Sequence, residues 1–189
     1  MARKEKTEDG PAKRSRGWIV VLILFVVLGG GGFGTIAVTN LIATSGYATN
    51  GDSMGTLVIP RFSDGAVPIM EGTDLGALRH GVGWYEFTSE PGDYGNCAIA
   101  GHRLGWGQPF ARLAMLQIGD EIIVTIDSTT FTYTVITPAT VIAGTDAEVL
   151  AGVPYDPERR PTRALLTLTT AASVLPSPNR LVVIAELGR

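Results

Sequence analysis

From residue 57 onward, apolar and polar residues form short runs that are interrupted by glycine, proline, asparagine and aspartate. The runs are rich in β-branched and aromatic residues, which is typical of strands. No stretch of this region sustains the helical period over several turns. The pattern predicts an all-β fold, a barrel or sandwich of about eight strands. We expect short helical turns only at 73–80 and 109–115, and strands at 57–60, 67–70, 96–100, 121–125, 131–137, 141–142, 164–169 and 181–186.

The N-terminal part has a different pattern. No charged residue occurs between Arg16 and Asp52, and residues 17–43 are almost entirely apolar or small. A helix of this length can cross a hydrocarbon core of about 30 Å. Because a cleaved signal peptide has a shorter apolar region, we predict a retained transmembrane helix at 17–43. Within it, Gly30 and Gly34 form a Gly-x-x-x-Gly pair that would allow close approach of a partner transmembrane helix.

Charge on the two sides of this segment predicts its orientation. The residues after it, 44–60, contain no Lys or Arg, whereas residues 1–16 are basic. The positive-inside rule then predicts a single-pass plasma-membrane protein with a cytoplasmic N-terminus. We expect a cytoplasmic tail at 1–16, a Gly-rich linker at 44–56 and an extracytoplasmic domain at 57–189. The basic residues of the tail are Arg3, Lys4, Lys6, Lys13, Arg14 and Arg16.

Composition excludes several classes of function. The net charge is −3, and the part of the chain predicted to be exported has no stripe of basic residues. We therefore expect no nucleic-acid partner. A single cysteine, Cys97, cannot form an internal disulfide. The two histidines and the scattered carboxylates show no ligand spacing, so we predict neither a metal site nor a cofactor.

Several short motifs occur in an order that resembles the sortase family, in particular its actinobacterial class E. Sortases are cysteine transpeptidases that attach proteins to the envelope of Gram-positive bacteria. The resemblance runs from residue 59 to 187 and implies a closed β-barrel that follows a transmembrane helix. The motifs are Ile59-Pro60-Arg61, Ala77–Gly83, Pro91–Asn96, Ile99–Arg103, Phe110–Leu113, Thr167–Thr170 and Arg180–Val183.

The resemblance implies a role for each matching residue. His102 corresponds to the catalytic histidine, which protonates the leaving amine, and Arg180 to the arginine that steadies the oxyanion. Ala171 stands where the family has its nucleophilic cysteine. Arg103, Thr169 and Thr170 are the expected substrate-binding residues, although Arg103 could equally stabilise the strand end. The partners implied are a sorting-signal peptide and an amine of a cell-wall precursor or pilin, and the 143–163 loop would shape the groove.

A methyl side chain at position 171 cannot attack a carbonyl, so we expect the chain as it stands to be inactive. Two origins remain open: a natural sortase-like accessory subunit without catalysis, or an engineered Cys-to-Ala change. Cys97 is a poor substitute nucleophile, because five extended residues separate it from His102 by roughly 16 Å. We expect its side chain to be a small buried hydrophobe instead.

Overall fold

Eight strands close into a barrel in the computed structural model, which describes residues 53–188. Around the barrel the strands follow the order β1-β2-β3-β4-β7-β8-β6-β5, and β5 pairs with β1 to complete the ring. The strands are β1 (Ser53–Val58), β2 (Val67–Glu71), β3 (Val82–Trp84), β4 (Gly95–Ala100), β5 (Glu121–Ile126), β6 (Thr129–Ile142), β7 (Ala164–Ala171) and β8 (Arg180–Leu187).

Most neighbouring strands are antiparallel, but β2 and β3 are parallel, and so are β4 and β7. A parallel pair requires a long crossover connection, and here the 101–163 segment supplies it for β4 and β7. The parallel pairing brings the ends of β4 and β7 to the same rim of the barrel. The all-β prediction and the closed eight-stranded barrel are therefore confirmed.

Three features of the strand arrangement differ clearly from the prediction. The β3 strand was missed, because three residues are too short to show a period, and it is defined by pairing with β2 and β4. The residues at 141–142 are the end of β6, which pairs with β8 as far as Arg180. The β1 strand begins at Ser53, inside the predicted linker, because Gly55 and Thr56 pair with both β2 and β5.

Helical structure in the described residues is short. The α1 helix (Leu75–Leu78) lies within the predicted 73–80 segment, and the Asp74 side chain caps its N-terminus. The predicted helix at 109–115 is reduced to one 3₁₀ turn, Leu113–Met115; two further 3₁₀ turns are Pro60–Phe62 and Ala147–Leu150. Between residues 53 and 188 no helix has the length and apolarity needed to span a bilayer. The predicted transmembrane helix lies outside the described residues.

Successive side chains along each strand point alternately into the barrel interior and toward its outer face. On β7, Leu166 and Leu168 point into the hydrophobic core, and Thr167 and Thr169 therefore face outward. Both threonines are nevertheless buried, because chain segments outside the barrel cover this part of its surface. On the adjacent β4, Cys97 lies in the core and is almost fully buried, as expected for a small hydrophobe.

Candidate functional site

The rim of the barrel where β7 ends and β8 begins brings together an alanine and an arginine. Ala171 is the register partner of Arg180 in the antiparallel β7–β8 pair. The Nε atom of Arg180 donates a hydrogen bond of 3.2 Å to Oγ1 of Thr169, which lies on the same face of β7 as Ala171. Ala171 is exposed and Arg180 is partly buried. The partly buried Arg180 guanidinium is thus held beside Ala171, which is exposed at the end of β7.

His102 reaches the same rim from the end of β4. Its predecessor Gly101 is bonded to β7 at both backbone groups: the Gly101 amide donates to the Thr169 carbonyl (3.1 Å), and Thr170 Oγ1 donates to the Gly101 carbonyl (2.8 Å). Because β4 and β8 are the two neighbours of β7, their rim ends lie about two strand spacings apart, roughly 10 Å. The imidazole and the Arg180 guanidinium therefore belong to one rim.

Arg103 continues this attachment on the other side of His102. Its guanidinium donates hydrogen bonds to the carbonyls of Ala171 (3.1 Å) and Ala172 (2.7 Å). These bonds satisfy two backbone acceptors where β7 leaves the sheet. The His102 segment is thus tied to the Ala171 segment from both flanks.

Gly101 is required by the close approach of an aromatic ring. A Cβ atom at this position would lie 2.6 Å from the Phe110 ring, closer than real Cβ contacts allow. Phe110 is buried, and its amide donates to the His102 carbonyl at 3.1 Å, which closes the loop that carries the histidine. In this fold, packing against Phe110 therefore requires glycine at position 101, whereas the interest of His102 is chemical.

One edge of the partly buried His102 ring is shielded from solvent. Its Nε2 atom is buried and has no hydrogen-bond partner among the described residues. The Trp106 ring lies against the imidazole, with ring centroids 4.7 Å apart and an interplanar angle of 41°. Burial lowers the pKa of His102 below its usual range, because the charged imidazolium loses more hydration than the neutral ring. An unprotonated ring can accept a proton that it later donates.

A groove of about 140 Å³ adjoins this rim. Thr169 and Arg180 form one side, and the 143–163 loop forms another with its 3₁₀ turn, Ala147–Leu150. Tyr85, at the end of β3, adds an aromatic surface. The groove is large enough for a few side-chain or backbone groups of an extended peptide, next to the Arg180 cation.

A buried polar pair holds the loop wall of this groove. The Asn96 side chain donates to the Val149 carbonyl at 3.0 Å, and Thr167 Oγ1 donates to Asn96 Oδ1 at 2.8 Å. Both side chains are fully buried. The 3₁₀ turn is thus attached to β4 and β7 by hydrogen bonds that water cannot readily replace.

Not every predicted site residue faces the groove. Thr169 and Arg180 line the groove, and Ala171 and His102 lie on the adjoining rim, whereas the Thr170 side chain is buried and bonds the Gly101 carbonyl. Arg103 bonds the protein's own backbone, which matches the strand-end alternative. Within residues 53–188 no group of three or more His, Cys, Asp or Glu could hold a metal ion.

Sequence reasoning missed three residues that shape the site: Asn96, Tyr85 and Trp106. An asparagine inside an apolar run and a tryptophan between two glycines were the available signals.

Cys97, by contrast, is where it was expected, in the barrel core. Burial raises the pKa of its thiol, which disfavours the reactive thiolate.

Comparison with known proteins identifies the family. The sortase domain family matches residues 57–188. Sortase SrtE2 of Streptomyces coelicolor is 30% identical over 142 residues, which are 72% of this chain and 56% of that protein. The chain spans about half the length of the curated relatives it matches.

Solved structures agree in fold. The SrtA sortase from Actinomyces oris superposes with a TM-score of 0.69 at 35% identity, covering 78% of this chain and 84% of that one. Sortase E1 from Streptomyces coelicolor, solved with a tripeptide in its active site, gives a TM-score of 0.66 at 28% identity, covering 73% and 89%. The chain belongs to the sortase family, and its close relatives include the class E sortases of Streptomyces.

Proposed function

We propose that this chain is a membrane-anchored sortase-family protein that binds a C-terminal sorting-signal peptide in the groove beside Arg180 but does not cleave it. The observation that carries the proposal is the in-register pair of Ala171 and Arg180 at the groove rim, with His102 tied to the same strand end. Family membership supports the class of ligand. The tripeptide held in the active site of a related sortase supports binding at the corresponding place.

Each rim residue then has a chemical task. Arg180 donates to a backbone carbonyl of the peptide, and Thr169 fixes the direction of its guanidinium. The Tyr85 ring and the loop at 147–150 contact the side chains that precede the scissile bond. Ala171 offers only a methyl group where the family's nucleophile would stand, so no acyl intermediate can form. Bound peptide is therefore released unchanged.

The transpeptidation reaction of the sortase family would require a thiol at position 171. A cysteine thiol there would pass its proton to His102, and the resulting thiolate would attack the threonine carbonyl of a Thr–Gly bond while Arg180 faces the oxyanion. The C–N bond would break as His102 transfers a proton to the leaving amine. A second amine, from a cell-wall precursor or a pilin subunit, would then displace the sulfur from the thioester. His102 and Arg180 are both present for these steps, and only the attacking atom is missing.

The direct test is the Ala171→Cys variant of the full chain, incubated with fluorescent Leu-Ala-x-Thr-Gly and Leu-Pro-x-Thr-Gly peptides. We expect the unchanged chain to bind peptide without cleaving it, and the cysteine variant to cleave at the Thr–Gly bond. Ala171→Ser serves as the matched control, since a hydroxyl has similar size but is a weaker nucleophile than a thiolate. Loss of peptide binding on Arg180→Gln would place the ligand at this rim. A chain that binds neither peptide, together with a cysteine variant that cleaves neither, would refute the proposal.

A second candidate is a natural, non-catalytic accessory subunit of an envelope or membrane complex, in which alanine at position 171 is the native residue. It is favoured by Ala171 itself and by the Gly30 and Gly34 pair in the predicted anchor. The coding sequence of the source organism separates the two origins. A cysteine codon at 171 excludes the accessory subunit, and an alanine codon excludes an engineered change.

A further inference from the structure

The loop between His102 and Phe110 contains an unusual backbone segment. Four consecutive residues, Gly105 to Gln108, have positive φ angles of 78°, 41°, 76° and 51°. For Trp106 and Gln108 this left-handed conformation is costly, of order 1 kcal/mol each, and persists only where surrounding contacts impose it. The Gln108 amide closes the turn by donating to the Gly105 carbonyl at 2.9 Å. The strained turn carries the Trp106 indole.

Two contacts explain where this indole lies. The His102 ring is 4.7 Å from the Trp106 ring between centroids, and the Arg79 guanidinium carbon lies 5.4 Å from the Trp106 ring centroid. Arg79 caps the C-terminus of α1, so it comes from an element outside the His102 loop. The indole is thus in contact with a cation from a separate part of the fold and with the imidazole.

We propose that Trp106 is a positioning residue that packs against the His102 ring, excludes water from its Nε2 atom and fixes the orientation of the ring, and that Arg79 keeps the indole in place. The buried, unpartnered Nε2 atom is the second observation, since a histidine on an open rim would hydrate both nitrogens. The inference rests on the proposed role of His102. The glycines on either side of Trp106 let the turn adopt the conformation that brings the indole into contact with the imidazole.

Burial of the His102 ring lowers its pKa, because the charged imidazolium loses more hydration than the neutral ring. The charged side chains on the adjoining elements are Arg79 from α1, Arg103 from its own loop and Arg180 from β8; β7 contributes no charge at this rim. A cation already in contact with the indole also weakens its attraction for a charged imidazolium. The contact with the indole therefore favours an unprotonated His102, which in the Ala171→Cys variant could take up the thiol proton and pass it to the leaving amine.

The first test needs no catalysis. The chain has two histidines, so the ring signals of ¹³C-histidine-labelled full chain in micelles can be assigned with His80→Gln alone. We expect Trp106→Ala to raise the pKa of His102 toward its usual range and to change its tautomer populations. Trp106→Phe should leave both the pKa and the tautomer populations as they are in the unmodified chain. Trp106→Gly should behave like Trp106→Ala, since it removes the ring while relieving the backbone strain. Arg79→Gln should shift the titration in the same direction as Trp106→Ala, by less.

The second test uses the Ala171→Cys background. There Trp106→Ala should lower kcat by roughly 10- to 100-fold with little change in KM, because a misplaced proton donor affects the reaction and not the binding. Tyr94→Ala is the control, an exposed aromatic that lines a separate cleft with Arg163 and Glu186. An unchanged His102 titration in Trp106→Ala would overturn the inference. If the chain binds neither peptide and Ala171→Cys cleaves neither, the proposed function fails, and the titration still decides the role of Trp106.

Discussion

Removing the Asn96 side chain should both destabilise the barrel and loosen the groove. Asn96 joins β4 to Thr167 on β7 and to the Val149 carbonyl in the 147–150 turn. Asn96→Ala deletes both hydrogen bonds and leaves a buried hydroxyl and a buried carbonyl without their partner. Because these groups are shielded from solvent, water cannot replace Asn96 without opening the loop.

The magnitude follows from the two lost bonds. Each net hydrogen bond contributes about 1 kcal/mol, and each buried group left unpaired costs about 1–3 kcal/mol. If the loop relaxes enough to hydrate the Val149 carbonyl, the total loss is about 2–4 kcal/mol. Total stabilities are typically about 5–15 kcal/mol, so the loss would shift the unfolding midpoint clearly.

Urea unfolding of the full chain in micelles, followed by near-UV circular dichroism, measures this loss. Asn179→Ala is the matched control, an exposed asparagine that should change stability by less than about 0.5 kcal/mol. Thr167→Val combined with Asn96→Ala should cost less than the sum of the two single changes, with a coupling of about 1 kcal/mol. Peptide affinity should also fall in Asn96→Ala. A variant as stable as the Asn179 control would refute the reasoning.

Three further predictions concern the His102 segment. Gly101→Ala places a methyl group against the Phe110 ring and should destabilise the domain by about 1–3 kcal/mol, as measured by urea unfolding; a neutral effect would contradict the close contact. Arg103→Gln removes the donor to two carbonyls at the end of β7 and should cost about 1–2 kcal/mol, against no change for the exposed Arg160→Gln; equal stabilities would show that the bonds contribute nothing. The folded pKa of His102 is lowered, so the unfolded chain binds this proton more readily, and stability should fall as the pH drops below about 6.5 toward the folded value. His102→Gln should remove this part of the pH dependence between pH 7.5 and 5, and an unchanged slope would count against the desolvated ring.

Local patterns were sufficient for much of the barrel. Strands β2, β4, β5, β7 and β8 have β-branched, apolar runs bounded by turn residues, and each lies within two residues of its predicted position. Their residues favour an extended backbone on a half-buried surface wherever the chain places them. The burial of Cys97 also followed from its position in an apolar run. The matches at His102, Ala171 and Arg180 came from ordered motifs, not from any local physical signal.

What the sequence determined by itself is therefore the strand content, the family and the residues that could carry chemistry, since these depend on residue type and order. Tertiary structure decided how those residues meet. The short β3 exists only because β2 and β4 pair with it, and the parallel β4–β7 pair joins segments about seventy residues apart. The Asn96–Thr167 bond and the Trp106–His102 contact depend on that pairing and on a left-handed turn. Such contacts arise between residues distant in the chain or in strained conformations, and propensity and periodicity describe neither.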